Sequence, residues 1–295
     1  MLHTRAAYRV LYKRLRLPRS GVHRALGGAK RLLLRDRVAY RARLGRSLSS
    51  PLRLDEANGY RMLTAEMLPG AAEVSAYARS LLTRYRQTPD TILEINPAKA
   101  FLLSVLSGSQ FAEHPPLLRL MLSRHLLDAA SSYLGTVPYL EGAALWWTPP
   151  NCSARSSQTW HIDELAPSQV KVILNCDWVT RDQGPLHLLP ADVSERIRTA
   201  ADHRRGRLPD AQVMRHAPPD SVIRAEGGPG TGVMFDSSRC LHFGSRGNRR
   251  DRLVLAFHYL PIDAPTETRY HLELQALPDG LGPLDEVQRL AISPA

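Results

Sequence analysis

One short stretch of this chain, Thr159 to Asp163, restricts the possible folds because it needs a partner from far along the sequence. His161 and Asp163 stand at positions i and i+2, so on an extended strand both side chains leave the same face and can reach one ion. Two side chains do not complete a metal site, and His242, which follows Asp163 by 79 residues, is the candidate third ligand. The fold must therefore bring two distant strands side by side.

The candidate ligands favour a particular metal. Two imidazoles and one carboxylate on one face of an ion suit Fe(II) and leave coordination positions open for other molecules. Ten residues beyond His242 stands Arg252, whose planar guanidinium is suited to holding a carboxylate through two parallel hydrogen bonds. Arg252 also opens an alternating run that ends at Tyr259 and predicts a strand, which would direct the guanidinium to a fixed point.

The residues around these candidates form an ordered series of apolar runs, turns and polar positions. In chain order the series contains Trp160, the apolar run 170–174, the turn-bearing segment 182–190, the segment 232–236, His242, Ser245, Asn248 and Arg252. It resembles the phytanoyl-CoA dioxygenase family of Fe(II)/2-oxoglutarate oxygenases. The resemblance is loose over residues 58–260 and close over residues 160–190 and 232–259.

The resemblance implies a mainly β fold with flanking helices, built on a double-stranded β-helix (jelly-roll, cupin-like) core. It also implies that His161, Asp163 and His242 hold a catalytic iron, and that Arg252 anchors the far carboxylate of 2-oxoglutarate. The implied activity is hydroxylation of an unactivated carbon atom. Halogenating relatives have a small residue in place of the aspartate ligand, so the presence of Asp163 disfavours halogenation.

The sequence departs from the family pattern at two positions. The family usually has one more residue between the distal histidine and the arginine, so Arg249 or Arg250 competes with Arg252 as the anchor. We prefer Arg252 because it opens the alternating run. Gly244 stands where the family often has a small polar residue, and Ser245 is the candidate to make that cosubstrate contact one residue later.

Several other residues leave alternatives open. His258 is a rival distal ligand because Arg269 follows it at a similar interval, although it lacks the turn that precedes His242. His187 is most simply a strand residue. Trp146 and Trp147 stand in a predicted strand, where they either belong to the core or line the cosubstrate pocket.

The net charge of +11 is concentrated near the N-terminus. Residues 1–53 carry 15 Lys and Arg against one acid, Asp36, whereas the remaining residues carry 24 basic and 27 acidic side chains. We therefore expect two parts. Residues 1–53 are a basic, helical N-terminal extension, and residues 54–295 are the Fe(II)/2-oxoglutarate oxygenase domain.

Within the extension, apolar residues from Tyr8 to Leu15 recur at helical spacing and predict a short basic amphipathic helix. Pro18 and the glycines at 21, 27 and 28 are expected to interrupt it, and a second basic helix is predicted over about 29–44. The functional interpretation is attachment to an anionic membrane surface. Nucleic acid is disfavoured because no stacking surface or base-reading motif accompanies the charge. The alternative is a helical pair, either exposed to solvent or packed against the domain, whose arginines have no partner.

Elsewhere the sequence predicts a strand over 58–63 and a helix over about 71–85. The apolar runs 101–106 and 117–134 are predicted to be helical, with a structural role. The segment 192–230 is rich in charge, Pro and Gly and has no convincing period. In a barrel of this kind, such an insertion is expected near the mouth of the site, where it would select the substrate.

The composition, 43% hydrophobic and 23% charged, is typical of a globular protein. The three cysteines form no Cys-x-x-Cys pair and no apolar run approaches the ~20 residues that cross a bilayer, so we expect a cytoplasmic protein, peripheral to the membrane at most. The expected substrate is a small molecule, a lipid or a glycan. Two alternatives remain open. The chain could be a non-catalytic jelly-roll module that binds an anionic surface through its extension, or a jelly-roll metalloenzyme that does not use 2-oxoglutarate.

Overall fold

The computed structural model describes residues 19–88, 99–203, 206–218, 220–265, 270–272, 274 and 278–292. Within these ranges the helices are α1 (Arg19–Leu33), α2 (Arg35–Arg46), α3 (Ala71–Gln87), α4 (Pro115–Met121), α5 (Arg124–Leu134), α6 (Ala191–Ala200), α7 (Asp210–His216) and α8 (Glu286–Ile292). The strands are β1 (Tyr60–Leu63), β2 (Leu103–Ser107), β3 (Tyr139–Thr148), β4 (Val170–Asn175), β5 (His187–Leu188), β6 (Ile223–Arg224), β7 (Gly232–Asp236), β8 (His242–Phe243) and β9 (Arg252–Leu260).

The strands form two antiparallel sheets. The larger sheet has the order β1-β7-β4-β9-β3-β2, and the smaller has the order β6-β5-β8. Neighbouring strands are mostly distant in sequence, so the chain crosses between the sheets repeatedly. Residues of both sheets share one cluster of buried apolar side chains, among them Val233 and Val254 of the larger sheet and Leu188 of the smaller. The two sheets therefore face each other, as the two halves of a jelly roll do.

The central strand β9 shows how sequence alternation builds this core. All nine of its residues are buried, which means that both faces of the strand are covered. Leu255 and Phe257 point outward into the large cluster that includes residues of the flanking helices. Val254 and Ala256 point inward, toward the smaller sheet. Because side chains alternate with a period of two, Arg252 shares the inner face with Val254 and Ala256.

A layer of helices covers the outer face of the larger sheet. The helix predicted over 71–85 is confirmed as α3, and its buried residues include Val74, Ala78, Leu81 and Leu82. The helical prediction for 117–134 is confirmed in outline, although the structure divides it into α4 and α5. The helical prediction for 101–106 is wrong, because this run contains β2, which pairs with β3 at the edge of the sheet. A short apolar run carries no decisive period, so strand pairing decided its structure.

Helices α1 and α2 differ from their prediction. The helix predicted over residues 8–15 lies outside the described residues. Gly21, Gly27 and Gly28 do not interrupt α1, which ends instead at Leu33. Each helical glycine costs up to about 1 kcal/mol relative to alanine, and burial of Val22 and His23 offsets part of that cost. Among the described helices, none is both long and apolar enough to cross a bilayer.

Helix α2 packs closely against the rest of the chain. The side chain of Arg41 is buried and donates hydrogen bonds to the carbonyl oxygens of Val137 (3.3 Å) and Leu290 (2.8 Å). Gly45 lies so close to the backbone of Thr136 that an added Cβ would stand only 2.7 Å away. Residues 35–46 are thus fixed by a buried charge and by a glycine contact. The division of the chain at residue 53 stays a prediction.

The segment without a convincing period, residues 192–230, contains most of α6, the whole of α7 and the short strand β6. Val193, Ile197 and Val213 join a cluster that also contains Trp160 and Phe243. The segment therefore covers one side of the smaller sheet. Its helical content escaped prediction because charged residues dominate the exposed side of α6.

The contact at Gly45 generates a prediction about stability. Gly45→Ala should lower the free energy of unfolding by about 1–3 kcal/mol, because the new methyl group would push α2 away from residue 136. The matched control is Gly28→Ala in α1, where an added Cβ meets nothing within 4 Å. This control should be neutral or stabilise by up to about 1 kcal/mol, since alanine favours helix. Thermal unfolding measures both, and equal midpoints for the two variants would contradict the packing of α2.

Candidate functional site

The two segments singled out in the sequence lie side by side. His161 and His242 form an antiparallel bridge, in which each backbone N–H donates to the other residue's carbonyl oxygen (3.1 and 2.9 Å). The backbone N–H of Asp163 donates to the carbonyl oxygen of Ser237 at 2.7 Å. Potential ligand atoms of His161, Asp163 and His242 all lie within 4.8 Å of one another. The structure thus brings together the three residues predicted to bind metal.

The hydrogen bonds of the two imidazoles decide which nitrogen faces the cluster. The Nδ1 atom of His161 lies 2.8 Å from the carbonyl oxygen of Thr159, and that of His242 lies 2.9 Å from the carbonyl oxygen of Cys240. A carbonyl only accepts, so each Nδ1 carries the proton and each Nε2 keeps a lone pair. The Nε2 of His242 is buried and has no hydrogen-bond partner among the described residues. A buried imidazole nitrogen with a free lone pair is suited to binding a metal ion.

The ionisation of the cluster also suits a metal. Burial, with a smaller contribution from neighbouring positive charge, lowers the pKa of His242 to about 4 and holds the pKa of His161 well below its usual value. Burial opposes ionisation of Asp163, but nearby positive charge, above all that of Lys171, outweighs it, and the Asp163 pKa lies well below its usual value. At neutral pH the site therefore presents two neutral imidazoles and one carboxylate, the forms that bind metal.

Lys171 is a site residue that the sequence reasoning missed. Its Nζ donates to Oδ2 of Asp163 at 2.9 Å, inside the barrel. The sequence did contain a signal, because Lys171 interrupts the apolar run of β4, all six residues of which are buried. A lysine in a strand that is covered on both faces is unusual and indicates a buried polar partner.

Arg252 forms a second polar centre. Its side chain is only 4% exposed, and one terminal nitrogen donates to Oγ of Ser245 at 2.8 Å. The hydroxyl of Thr148 lies 3.2 Å from the same Oγ. The Nε of Arg252 is buried without a hydrogen-bond partner in the described part of the chain, and burial lowers the Arg252 pKa to about 10. A buried guanidinium with unused donors is suited to an anionic ligand.

The competing residues lie elsewhere. Arg249 and Arg250 are exposed, and their backbone N–H groups donate to the carbonyl oxygen of Asp182. Of the described residues, the three-residue ligand cluster includes His242 and not His258. An added Cβ at Gly244 would stand 3.6 Å from the Arg252 guanidinium, an ordinary van der Waals distance, so space does not require glycine there. Ser245, one residue later, makes the polar contact.

The cluster of His161, Asp163 and His242 and the side chain of Arg252 face one cavity between the two sheets. His161, Asp163, His242, Lys171, Arg252 and Ser245 all line it. Trp146 also lines the cavity, whereas Trp147 packs with the outer core near Tyr85. Trp147 is therefore a core residue, and Trp146 lines the cavity.

Gln158, a second residue that the sequence reasoning missed, ties the ligand-bearing segment to the Arg252 side of the cavity. Its buried amide donates to the carbonyl oxygen of Ser245 at 2.5 Å and to Oδ1 of Asn151 at 2.9 Å. Its side-chain oxygen accepts from the hydroxyl of Ser153. A glutamine without a motif around it carries no signal in the sequence. Nearby, Arg207 of the covering segment donates to the carbonyl oxygen of Ser156.

Comparisons with known proteins identify the fold. Neither a protein-family model nor a curated protein matches this chain. Among solved structures, it is similar to SnoN, a non-heme alpha ketoglutarate dependent epimerase from nogalamycin biosynthesis (TM-score 0.51, 15% identity, 77% of this chain and 83% of SnoN covered). It is also similar to SnoK, a carbocyclase of the same description and pathway (TM-score 0.50, 16% identity, 73% and 85% covered).

A third similar structure is EctD from S. alaskensis with bound Fe (TM-score 0.49, 19% identity, 80% and 89% covered). At these identities the comparisons concern the fold alone, and SnoN and SnoK carry that conclusion. The expected β core with flanking helices, arranged as a double-stranded β-helix, is confirmed.

The tautomer arrangement generates a prediction about metal binding. His242→Ala should weaken Fe(II) binding by more than roughly 100-fold, beyond the effect of residues that only support ligands. The matched control is His187→Ala. His187 lies on the neighbouring strand and has the same Nδ1 contact with a carbonyl oxygen, that of Pro185, but it is not part of the cluster. Anaerobic calorimetric titration with Fe(II) measures both. Equal affinities would exclude His242 as a ligand.

Proposed function

We propose that this chain is an Fe(II)- and 2-oxoglutarate-dependent dioxygenase of the phytanoyl-CoA dioxygenase-like type, which hydroxylates a carbon atom of a small-molecule substrate. One observation carries the proposal. A buried His–Asp–His cluster and a buried guanidinium with unused donors face the same cavity. A metal ion and a dianionic cosubstrate would complement these two centres.

In this proposal His161 and His242 hold Fe(II) through Nε2, because each Nδ1 is engaged by a backbone carbonyl. Asp163 supplies the third ligand atom. The orphaned Nε2 of His242 supports this assignment, since a buried lone pair without a donor is costly unless a cation satisfies it. Fe(II) is favoured over zinc in a structural role because two histidines and one carboxylate leave positions open.

Arg252 binds the far carboxylate of 2-oxoglutarate, and Ser245 orients the guanidinium by accepting its hydrogen bond. Bound Fe(II) would supply the oxidation chemistry: one oxygen atom of O₂ would enter a substrate C–H bond, and the other would convert 2-oxoglutarate to succinate and CO₂. The apolar wall formed by Ile173, Leu186 and Val254 limits water beside the reacting groups.

The outcome of the reaction is a further part of the proposal. SnoN and SnoK are named as an epimerase and a carbocyclase, so similar folds serve different reactions. Hydroxylation is our proposal because Asp163 occupies the position that halogenating enzymes leave open. We place the enzyme in the cytoplasm, where its three free cysteines stay reduced.

The deciding experiment uses full-length protein with Fe(II) under anaerobic conditions. Addition of 2-oxoglutarate should produce the visible absorption of an iron-chelated 2-oxo acid, and admission of O₂ should produce succinate. Protein that binds Fe(II) without responding to 2-oxoglutarate would be a metalloenzyme of another type. Protein that binds neither would favour a non-catalytic jelly-roll module.

The position of Arg252 generates a matched pair of variants. Arg252→Ala should raise the 2-oxoglutarate concentration needed for half-maximal succinate formation by roughly 30-fold or more, because loss of one partner of a buried ion pair costs about 2–5 kcal/mol. Fe(II) affinity should change little. Arg249→Ala removes an exposed arginine from the same loop and should behave as the unmodified protein does. If Arg249→Ala has the larger defect, the anchor is misassigned.

We also propose that the basic N-terminal segment attaches the enzyme to an anionic membrane surface. Leu32 and Leu33, at the end of α1, are 72% and 65% exposed. Arg31, Arg35 and Arg37 surround them and are also exposed. Exposed leucines flanked by arginines suit the boundary between anionic headgroups and acyl chains.

Point variants test this attachment better than a deletion, because α2 is packed into the body of the protein. A Leu32→Ser/Leu33→Ser double variant should bind liposomes that contain phosphatidylserine several-fold more weakly than the unmodified protein, since its insertion into the acyl boundary is lost. Trp178→Ser is the control, as Trp178 is 65% exposed and lies outside residues 1–53. Sedimentation at low and high salt measures both. Indifference of the unmodified protein to such liposomes at low salt would refute the attachment.

A further inference from the structure

Lys171 has more hydrogen-bonding capacity than the residues around it use. Its side chain points to the inner face of β4, and the residue is only 8% exposed. Its ammonium group has three N–H donors, and Asp163 Oδ2 accepts one of them. In the described part of the chain no other acceptor contacts it. Two donors therefore remain directed into the cavity that Lys171 lines.

The strand register places Lys171 far from Arg252. Lys171 is paired with His258 across β4 and β9, and Arg252 lies six residues from His258 along β9. At about 3.3 Å per residue, the two positions are separated by roughly 20 Å along the strand direction. The two cations thus enter the cavity from opposite ends of the barrel. Arg252 serves one end in the proposed function, and the Lys171 end has no assigned ligand.

A second lysine, Lys99, lines the same cavity. Burial lowers the pKa of His258 to about 3, and the positive charges of Lys171 and Lys99 both contribute to this shift. Both lysine charges therefore act on one buried imidazole, which lies six residues from Arg252 along β9. His258 itself is neutral and adds no charge there.

The charges that line the cavity do not balance. Arg252 and Lys171 are buried cations, whereas Asp163 is the single acid among the described lining residues. Bound Fe(II) and 2-oxoglutarate carry opposite charges of equal size, so together they leave this excess unchanged. A net positive charge in a largely buried cavity is costly unless an anion enters. The remaining ligand of the cavity is the substrate.

We infer that the substrate carries an oxyanion, a carboxylate or a phosphate group, which Lys171 binds at the end of the cavity opposite Arg252. This inference rests on the proposed function and names the substrate class of the same site. The two free donors of Lys171 hold the oxyanion beside the metal ligands, so its position selects which carbon is oxidised. Neutral analogues would leave two donors of Lys171 without an acceptor and bind more weakly.

The test uses full-length protein loaded with Fe(II) and saturating 2-oxoglutarate, without O₂, and inorganic phosphate as the probe. Calorimetry should show phosphate binding that Lys171→Met weakens by roughly tenfold or more, which is about 1.4 kcal/mol. Lys171→Arg keeps the charge and should retain most of the binding. Arg249→Met removes an exposed cation outside the cavity and should bind phosphate as the unmodified protein does.

Two further measurements on the unmodified protein separate this site from the cosubstrate site. Raising 2-oxoglutarate tenfold above saturation should not displace phosphate, and acetate should bind more tightly than its neutral isostere acetamide. Displacement by 2-oxoglutarate, equal binding of acetate and acetamide, or unchanged phosphate binding by Lys171→Met would each overturn the inference. Should Lys171→Met fail to fold, these two measurements decide. Protein that never binds Fe(II) and 2-oxoglutarate would instead overturn the proposed function, and this inference with it.

Discussion

The site depends on one pair of backbone hydrogen bonds, those that join His161 to His242. These bonds bring two histidines from distant segments to a ring separation of 4.4 Å and leave both Nε2 atoms facing Asp163. Such a bridge requires that the strand of His242 lie at an edge that another segment can approach. The short smaller sheet supplies this edge, because β8 pairs with β5 on one side and meets residue 161 on the other.

The inner faces of β4 and β9 carry a cost that the outer faces offset. Arg252, Lys171 and His258 occupy positions that apolar residues would fill in a barrel built for stability alone. Burial of such groups disfavours folding unless they are paired or bind ligands. The outward-facing residues of the same strands, such as Phe257, pack into the largest apolar cluster. Alternation along one strand thus supports stability on one side and chemistry on the other.

Much of the site could be predicted from the sequence because His242 and Arg252 stand on strands and His161 pairs with His242 as a strand residue would. The spacing of His161 and Asp163 and the alternation after Arg252 report geometry directly. Lys171 was not predicted as a site residue because a single lysine only interrupts the apolar pattern of a strand. Its partner, Asp163, comes from another segment. The strand at 103–107 and the unbroken helix α1 were not predicted correctly. Strand pairing and packing depend on distant residues, and here they outweighed the local sequence preference for helix or for a break.

The buried arginine of α2 has a mechanical consequence. Arg41 is bonded to the chain at Val137 and Leu290, and α1 makes its own link through the Lys30 ammonium, which donates to the carbonyl oxygen of Ala264. Helices α1 and α2 are consequently attached rigidly to the rest of the protein at several points, in contrast to a flexible linker. A surface that binds the arginines of α1 would therefore also fix the orientation of the cavity. Every molecule bound to that surface would have its cavity opening in the same direction.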